Sequence, residues 1–325
     1  MIRSLAKSSL NGITSIRNRI LNIIDKPVVV LIYHRVTDLP NDPQLLAVSP
    51  ENFSAQMRYL RDNFPVLRFE ADWGRITEPS VIVTFDDGYA DNFLEALPIL
   101  ESVGIPATFF ISTDVIGSTT EFWWDELERL ILGTDIRPER CRLNGNRRNM
   151  VWETGDSAQR LTFYRELHPL LRRLTSAERE AWIEQLRSWA GCDLVGRSTH
   201  RALSIAELKA GAASEWVTVG AHGVTHTRLS NLAPAEQRYE IMQSKQRLEE
   251  LCEKEITVFS YPFGCRRDYD RTTLGICRDA GFRRVAANFP GQVHRWSDPL
   301  QIPRQLVRNW PLDQFREKLN GFFYV

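Results

Sequence analysis

Two histidines, His222 and His226, stand four positions apart in Gly220-Ala221-His222-Gly223-Val224-Thr225-His226, and an adjacent acid pair, Asp86-Asp87, precedes Gly88 far upstream. Imidazole and carboxylate are the usual nitrogen and oxygen ligands of a divalent transition metal. Two histidines and one carboxylate form a three-ligand set with a position left open for water, the arrangement of hydrolytic zinc sites. The four-residue spacing lets both imidazoles reach one ion if the backbone curls helically; otherwise they are two surface histidines. Neighbouring acids point in different directions, so one can bind a metal while the other faces a substrate water. Read alone, the same pair is a turn or a helix N-cap.

These residues need elements to position them, and the polar clusters fall after apolar runs. Residues 28–33 form a continuous apolar run, β-branched at its start, which suits a strand buried on both faces. It stops at His34. Ser49-Pro50-Glu51 then opens a helix, with Ser as N-cap and Pro at the first position, carrying Phe53, Met57, Leu60 and Phe64 at helical spacing. A strand over 81–85 ends at Asp86-Asp87. A helix over 91–103 stops at Gly104, and a strand over 107–111 follows. Strand, helix and strand with short links mean βαβ units and a parallel sheet.

From 118 to 215 the alternation breaks into a mainly helical stretch. It has an apolar stripe of Trp123, Leu127, Leu130 and Ile131, and capping boxes at Thr175-x-x-Glu178 and Ser204-x-x-Glu207. Its tryptophans, at 123, 124, 152, 182 and 189, read as core. The alternation resumes with a strand over 217–220 ending at His222, a helix over 234–252 and a strand over 256–260 ending at Tyr261-Pro262. A helix over 271–280 and short strands near 284–287 and 301–307 complete it. In a parallel α/β barrel all such strand ends open on one face, so residues almost 200 apart converge there.

Composition narrows the partners. The 325 residues are 43% hydrophobic with 41 acidic and 41 basic side chains, and this balance gives no reason to expect nucleic acid as a partner. The five cysteines are odd in number and none lies in a CxxC pair, which predicts free thiols in a reducing compartment. No run reaches transmembrane length. Arg3, Lys7, Arg17 and Arg19 are scattered where a secretory signal would need an apolar core. Residues 2–24 read as an ordinary leading helix or as a basic amphipathic helix lying on a membrane surface. The expected location is cytoplasmic, peripheral to the inner face of the membrane where that helix docks.

Together, Thr84-Phe85-Asp86-Asp87-Gly88-Tyr89, the segment 220–226 and Phe259-Ser260-Tyr261-Pro262-Phe263-Gly264 resemble the polysaccharide deacetylase family, also called the NodB homology domain or carbohydrate esterase family 4. Residues 107–111 are similar to the strand that follows its first motif. Tyr33-His34-Arg35-Val36 is similar to a subgroup that trims exopolysaccharides and cell-surface glycans. The resemblance runs from about 28 to 310 with the helical stretch removed.

It implies an α/β fold, a distorted (β/α)7-type barrel with an inserted helical subdomain. A basic helix over 1–25 would precede a barrel of 26–117 and 216–325, interrupted by a helical insertion over 118–215. It implies a metal-dependent hydrolase that removes N-acetyl groups from a polysaccharide, oligosaccharide or lipid-linked sugar. Asp87, His222 and His226 would hold the metal, Asp86 would be the general base, and the backbone N–H of Tyr261 would help hold the oxyanion. Zn²⁺ suits the ligands, as do Co²⁺, Ni²⁺ and Mn²⁺.

Three departures bear on that picture. The arginine that many members carry three residues before the motif tyrosine is Val258 here. No aspartate motif stands around 285–288. The Leu-x-x-His that normally supplies the general acid is replaced by Leu300-Gln301-Ile302-Pro303-Arg304. Arg304 is therefore the candidate to orient Asp86, and His34 and His294 are the candidate acids. Acyl choice depends on pocket shape, so deformylation, O-deacetylation and glycan binding without catalysis are the alternative readings.

Overall fold

Six consecutive apolar or aromatic side chains make β1 (Val28–Tyr33) a strand with no solvent-facing side, and all six are buried. The structure, a computed structural model, describes residues 21–133, 138–145 and 149–324, so the helix expected over 2–24 lies outside the described residues up to position 20. The strands that follow in the same sheet are β2 (Ser80–Phe85), β3 (Ala107–Ile111), β4 (Val217–Ala221), β5 (Val258–Ser260), β6 (Arg284–Ala286) and β7 (Gln305–Leu306). Their order is β6-β5-β4-β3-β2-β1-β7, with every neighbouring pair parallel. Ile302, just before β7, also bridges Ala286 of β6, accepting from Ala287 N at 2.8 Å and donating to Val285 O at 2.9 Å. One short segment thus joins both edges and curls the sheet into a (β/α)7-type barrel.

Strand parity divides the apolar residues between two layers. Val29, Leu31, Val81, Val83, Phe109, Val219 and Phe259 point outward into the main core, where Phe53, Met57 and Leu60 of helix α1 (Pro50–Asn63) meet them. Val28, Val30, Ile82, Phe110, Val258, Ala286 and Ile302 fill the interior of the barrel. All of these inward positions are even-numbered. The same parity carries His34, Asp86, His222, Ser260 and Arg304 toward the interior at the carboxyl ends of the strands.

The segment expected as a helical insertion has its own core of Tyr89, Phe122, Trp124, Leu127, Trp152, Phe163, Leu167, Ile183, Leu186 and neighbours. Helices Trp123–Leu132, Ser157–Leu171 and Ser176–Ala190 enclose it. Two features differ from the sequence reading. An antiparallel hairpin, Arg140–Asn144 with Asn149–Glu153, lies among the helices. Its first strand alternates exposed arginines with buried Cys141 and Leu143, a period-2 pattern too short to stand out from the helical one. Helix Ile205–Ala213, within the segment expected as the insert, packs Leu208 and Ala212 on the barrel's core. Cys141, Cys252, Cys265 and Cys277 are free thiols, and no helix among the described residues is long and apolar enough to cross a membrane.

Candidate active site

The end of β2 places the two acids on opposite sides of a tight reversal. Asp86 keeps the inward direction of Ile82 and Thr84. Asp87 has φ +76° and Gly88 φ +93°, so the chain turns and Asp87 is swung toward β4. Asp tolerates this left-handed region better than most residues. Gly88 is required there: a Cβ would lie 2.9 Å from Ile111 Cγ2 and 3.0 Å from Leu203 Cδ2.

His222 and His226 do not lie on a helical turn. They flank a loop whose shape is set by Gly223 (φ +79°) and by Glu240, from the helix Pro234–Cys252. Glu240 Oε2 accepts from Val224 N at 2.7 Å and Thr225 N at 2.9 Å, and Oε1 accepts from Thr225 Oγ1 at 2.7 Å. His226 itself has φ +49°. Its ring is flanked by Trp124 at 4.7 Å and Phe263 at 4.6 Å between centroids.

One ligand atom each from Asp87, His222 and His226 lies within 4.8 Å of the others, and all three residues are buried. Asp87 Oδ1 is 3.5 Å from His222 Nε2 and 3.3 Å from His226 Nε2. His222 Nδ1 donates to Ser260 O at 2.7 Å, which fixes the ring and leaves Nε2 as the nitrogen that faces Asp87. Burial alone would raise the Asp87 pKa, but His222 and His226 overcome it and hold the carboxyl well below the usual range. An ionised oxygen and two imidazoles converging in this way fit a divalent metal ion.

Beside them, Asp86 is held from below. Arg304 Nη1 donates to Oδ1 at 2.7 Å and Nη2 to Oδ2 at 2.6 Å, a two-pronged clasp. The guanidinium also donates to Thr84 Oγ1, Ser260 Oγ and Ala287 O. Burial would raise the Asp86 pKa; the Arg304 charge, then His222, outweigh it and keep the acid ionised. Asp86 Oδ2 is 3.7 Å from His222 Nε2. Arg304 therefore reaches Asp86 from a different strand than the missing motif arginine would.

His34 lines the same cleft of about 240 Å³, with Asp86, Asp87, Trp124, Arg172, Phe263 and Arg308. Its backbone O accepts from Asn92 Nδ2 at 2.7 Å, and its Nδ1 is buried without a hydrogen-bond partner among the described residues. Burial outweighs Asp87 and Asp86 and lowers its pKa, so the ring is neutral at rest.

Two expectations need correction. Tyr261 has the outward parity of Phe259 and is fully buried in the main core, stacked on Tyr269 at 4.1 Å. Its N–H donates to Ala286 O at 3.1 Å and its hydroxyl to Leu300 O at 2.9 Å. It has no donor left for an oxyanion. Phe263 lines the cleft with φ +62°, and its N–H meets no acceptor among the described residues. The donor expected at Tyr261 is thus available two residues later, where the loop reverses after Pro262. His294 is the second correction. It sits next to Val293, which pairs with Val28 at the start of β1, and faces Asp25 at 3.5 Å, at the opposite end of the barrel from the acids.

Glu240, Phe263 and Trp124 are the site residues that sequence reasoning missed. No motif marks Glu240. Trp124 comes from the insert, where Trp124 Nε1 donates to Tyr89 Oη at 2.6 Å and Tyr89 Oη to Asp125 Oδ2 at 2.6 Å. Burial pushes the Asp125 pKa up to about 7. That lies above the value of about 3.9 for an exposed aspartate, so the folded chain keeps a proton the unfolded chain has released. This contribution to stability is full below about pH 4 and is lost as pH rises through 7. Asp125→Asn removes that slope. Melting temperatures of both proteins between about pH 5 and 8 check it, and an unchanged slope in the variant refutes the assignment.

The polysaccharide deacetylase family model matches residues 74–133 and 194–285, leaving out most of the insert. YxkH of Bacillus subtilis (strain 168), a protein assigned by name to the polysaccharide deacetylases, is 20% identical over 273 residues. That match spans 82% of this chain and 66% of the relative's length. Among solved structures, a Bacillus cereus polysaccharide deacetylase has 21% identity and a TM-score of 0.58 over 90% of this chain and 69% of its own. IcaB from Ammonifex degensii has 19% identity and a TM-score of 0.57 over 92% and 97%. The Streptococcus pyogenes deacetylase PplD, solved with acetate, has 16% identity and a TM-score of 0.58 over 90% and 97%. At these identities the structures share the fold. With the family's motifs in order on that fold, the chain belongs to the polysaccharide deacetylase family.

Proposed function

We propose that this protein is a metal-dependent hydrolase that removes N-acetyl groups from an amino-sugar glycan. The observation that carries the reading is the convergence of Asp87, His222 and His226 beside an Asp86 clasped by Arg304. Those three residues would hold a divalent ion, with zinc the best match to two imidazoles and a carboxylate. Such an ion supplies Lewis acidity, polarising an acyl oxygen and lowering the pKa of water toward about 7.

The chain's own groups account for the remaining steps. Water attacks the acyl carbon as Asp86 takes its proton, and Arg304 keeps that carboxylate ionised and fixed in direction. The Phe263 N–H, without an acceptor among the described residues in a residue that lines the cleft, would serve as the donor for the developing oxyanion. The C–N bond then breaks as the proton taken up by Asp86 passes through His34 to the leaving amine, which returns both groups to their starting states. One water is consumed, and acetate and a free amine are formed.

Product analysis tests the reading. Zinc-loaded protein incubated with N-acetylated oligosaccharides should release acetate and free amine in equal amounts. Formate from an N-formyl sugar, or acetate without amine from an O-acetyl sugar, would reassign the acyl group. Tight glycan binding without either product would overturn catalysis.

A further inference from the structure

The charges lining the active-site cleft do not balance. Among the described residues the only carboxylates lining it are Asp86 and Asp87; Asp86 is clasped by Arg304, and Asp87 belongs to the proposed metal site. The cations facing it are Arg172 and Arg308. Arg172 shares one carboxylate, Asp268, with Arg228: Arg172 Nη2 is 2.8 Å from Oδ2 and Arg228 Nε is 3.0 Å from Oδ1. Two guanidiniums on one acid leave that wall with surplus positive charge.

Arg308 has no acid within ion-pair distance among the described residues. Its Nη1 donates to the carbonyls of Gln44, at 2.7 Å, and Leu45, while Nε and Nη2 donate to nothing among the described residues. It is half-buried just past β7, and its charge reaches His34 across the cleft. Burial lowers its pKa, and Asp42 offsets this only in part. A partly desolvated guanidinium with two idle donors, facing a reaction centre, is suited to a planar or tetrahedral oxyanion.

We propose that Arg308 is a specificity-determining residue that binds an oxyanion group, carboxylate or phosphate, carried by the sugar substrate. This rests on the deacetylase reading for its reaction but not for its binding step. A purely structural role is the alternative, since Nη1 also tethers the 44–45 loop at the cleft's edge. Such a tether would serve charged and neutral sugars alike.

The test compares zinc-loaded wild type with Arg308→Gln, which keeps an amide donor for the tether. Three probes are used: neutral diacetylchitobiose, N-acetylglucosamine 1-phosphate, and a disaccharide of N-acetylglucosamine with a uronate. Calorimetric affinity is measured for each, with kcat/KM where turnover occurs. Arg308→Gln should lose about tenfold or more on at least one charged probe, the scale of a charge-assisted hydrogen bond, and little on the neutral one. Whichever charged probe responds identifies phosphate or carboxylate as the source. Equal losses on all three, no loss, or no preference of wild type for a charged probe would overturn the proposal. Charge-selective binding without turnover would keep it while sinking the deacetylase reading.

Discussion

Arg304→Met should destabilise the fold by about 3–5 kcal/mol, the usual cost of leaving one member of a buried ion pair behind. Asp86 is almost fully buried, and the guanidinium supplies its two shortest hydrogen bonds. Methionine fills much of the volume beneath Phe110 but offers no donor, so the carboxylate would face desolvation uncompensated. Turnover should also fall, on the order of 10²-fold, because the proposed base loses its fixed direction. Arg304→Lys should fall between, since an ammonium keeps the charge but cannot span both oxygens. Denaturant midpoints and single-turnover rates check both effects. A methionine variant as stable and as fast as wild type would show that the clasp holds nothing.

Removing a metal ligand should act on a different observable. Wild-type protein should take up about one zinc per chain, and saturating zinc should raise its melting temperature. A thousandfold excess over Kd is worth about 4 kcal/mol. Asp87→Ala and His226→Ala should lose both the uptake and the thermal shift, and their hydrolysis should drop to background. Each ligand is anchored by a separate element, the turn after β2 and the loop pinned by Glu240, so the loss should not depend on which is removed. His34→Ala separates metal binding from proton delivery: it should keep zinc and the thermal shift while kcat falls by about 10²–10⁴-fold. Wild-type kcat in that variant would remove His34 from the reaction. Full zinc uptake by Asp87→Ala would move the metal elsewhere.

The alternation of apolar runs and capped helices was legible in the sequence, because each strand is buried on both faces and each helix carries a core stripe. The same pattern placed His34, Asp86, His222 and Tyr261 at strand ends, and Arg304 within the short strand expected over 301–307. A strand end is a local property, set by where apolar residues stop. The antiparallel pairing of Arg140–Asn144 with Asn149–Glu153 and the packing of Ile205–Ala213 on the barrel's core were not legible. They depend on which core a short segment packs against, and residue type alone does not say that.

What the sequence determined by itself was most of the groups able to do chemistry and the strand ends that carry them. The tertiary structure alone decided their partners. Arg304 meets Asp86 because the segment before β7 closes the barrel and brings residues 218 positions apart to 2.6 Å. Tyr261 turns outward and spends its N–H on Ala286, leaving Phe263 to face the cleft. Directions and partners of this kind arise from closure of the sheet, a long-range constraint that leaves no mark on neighbouring residues.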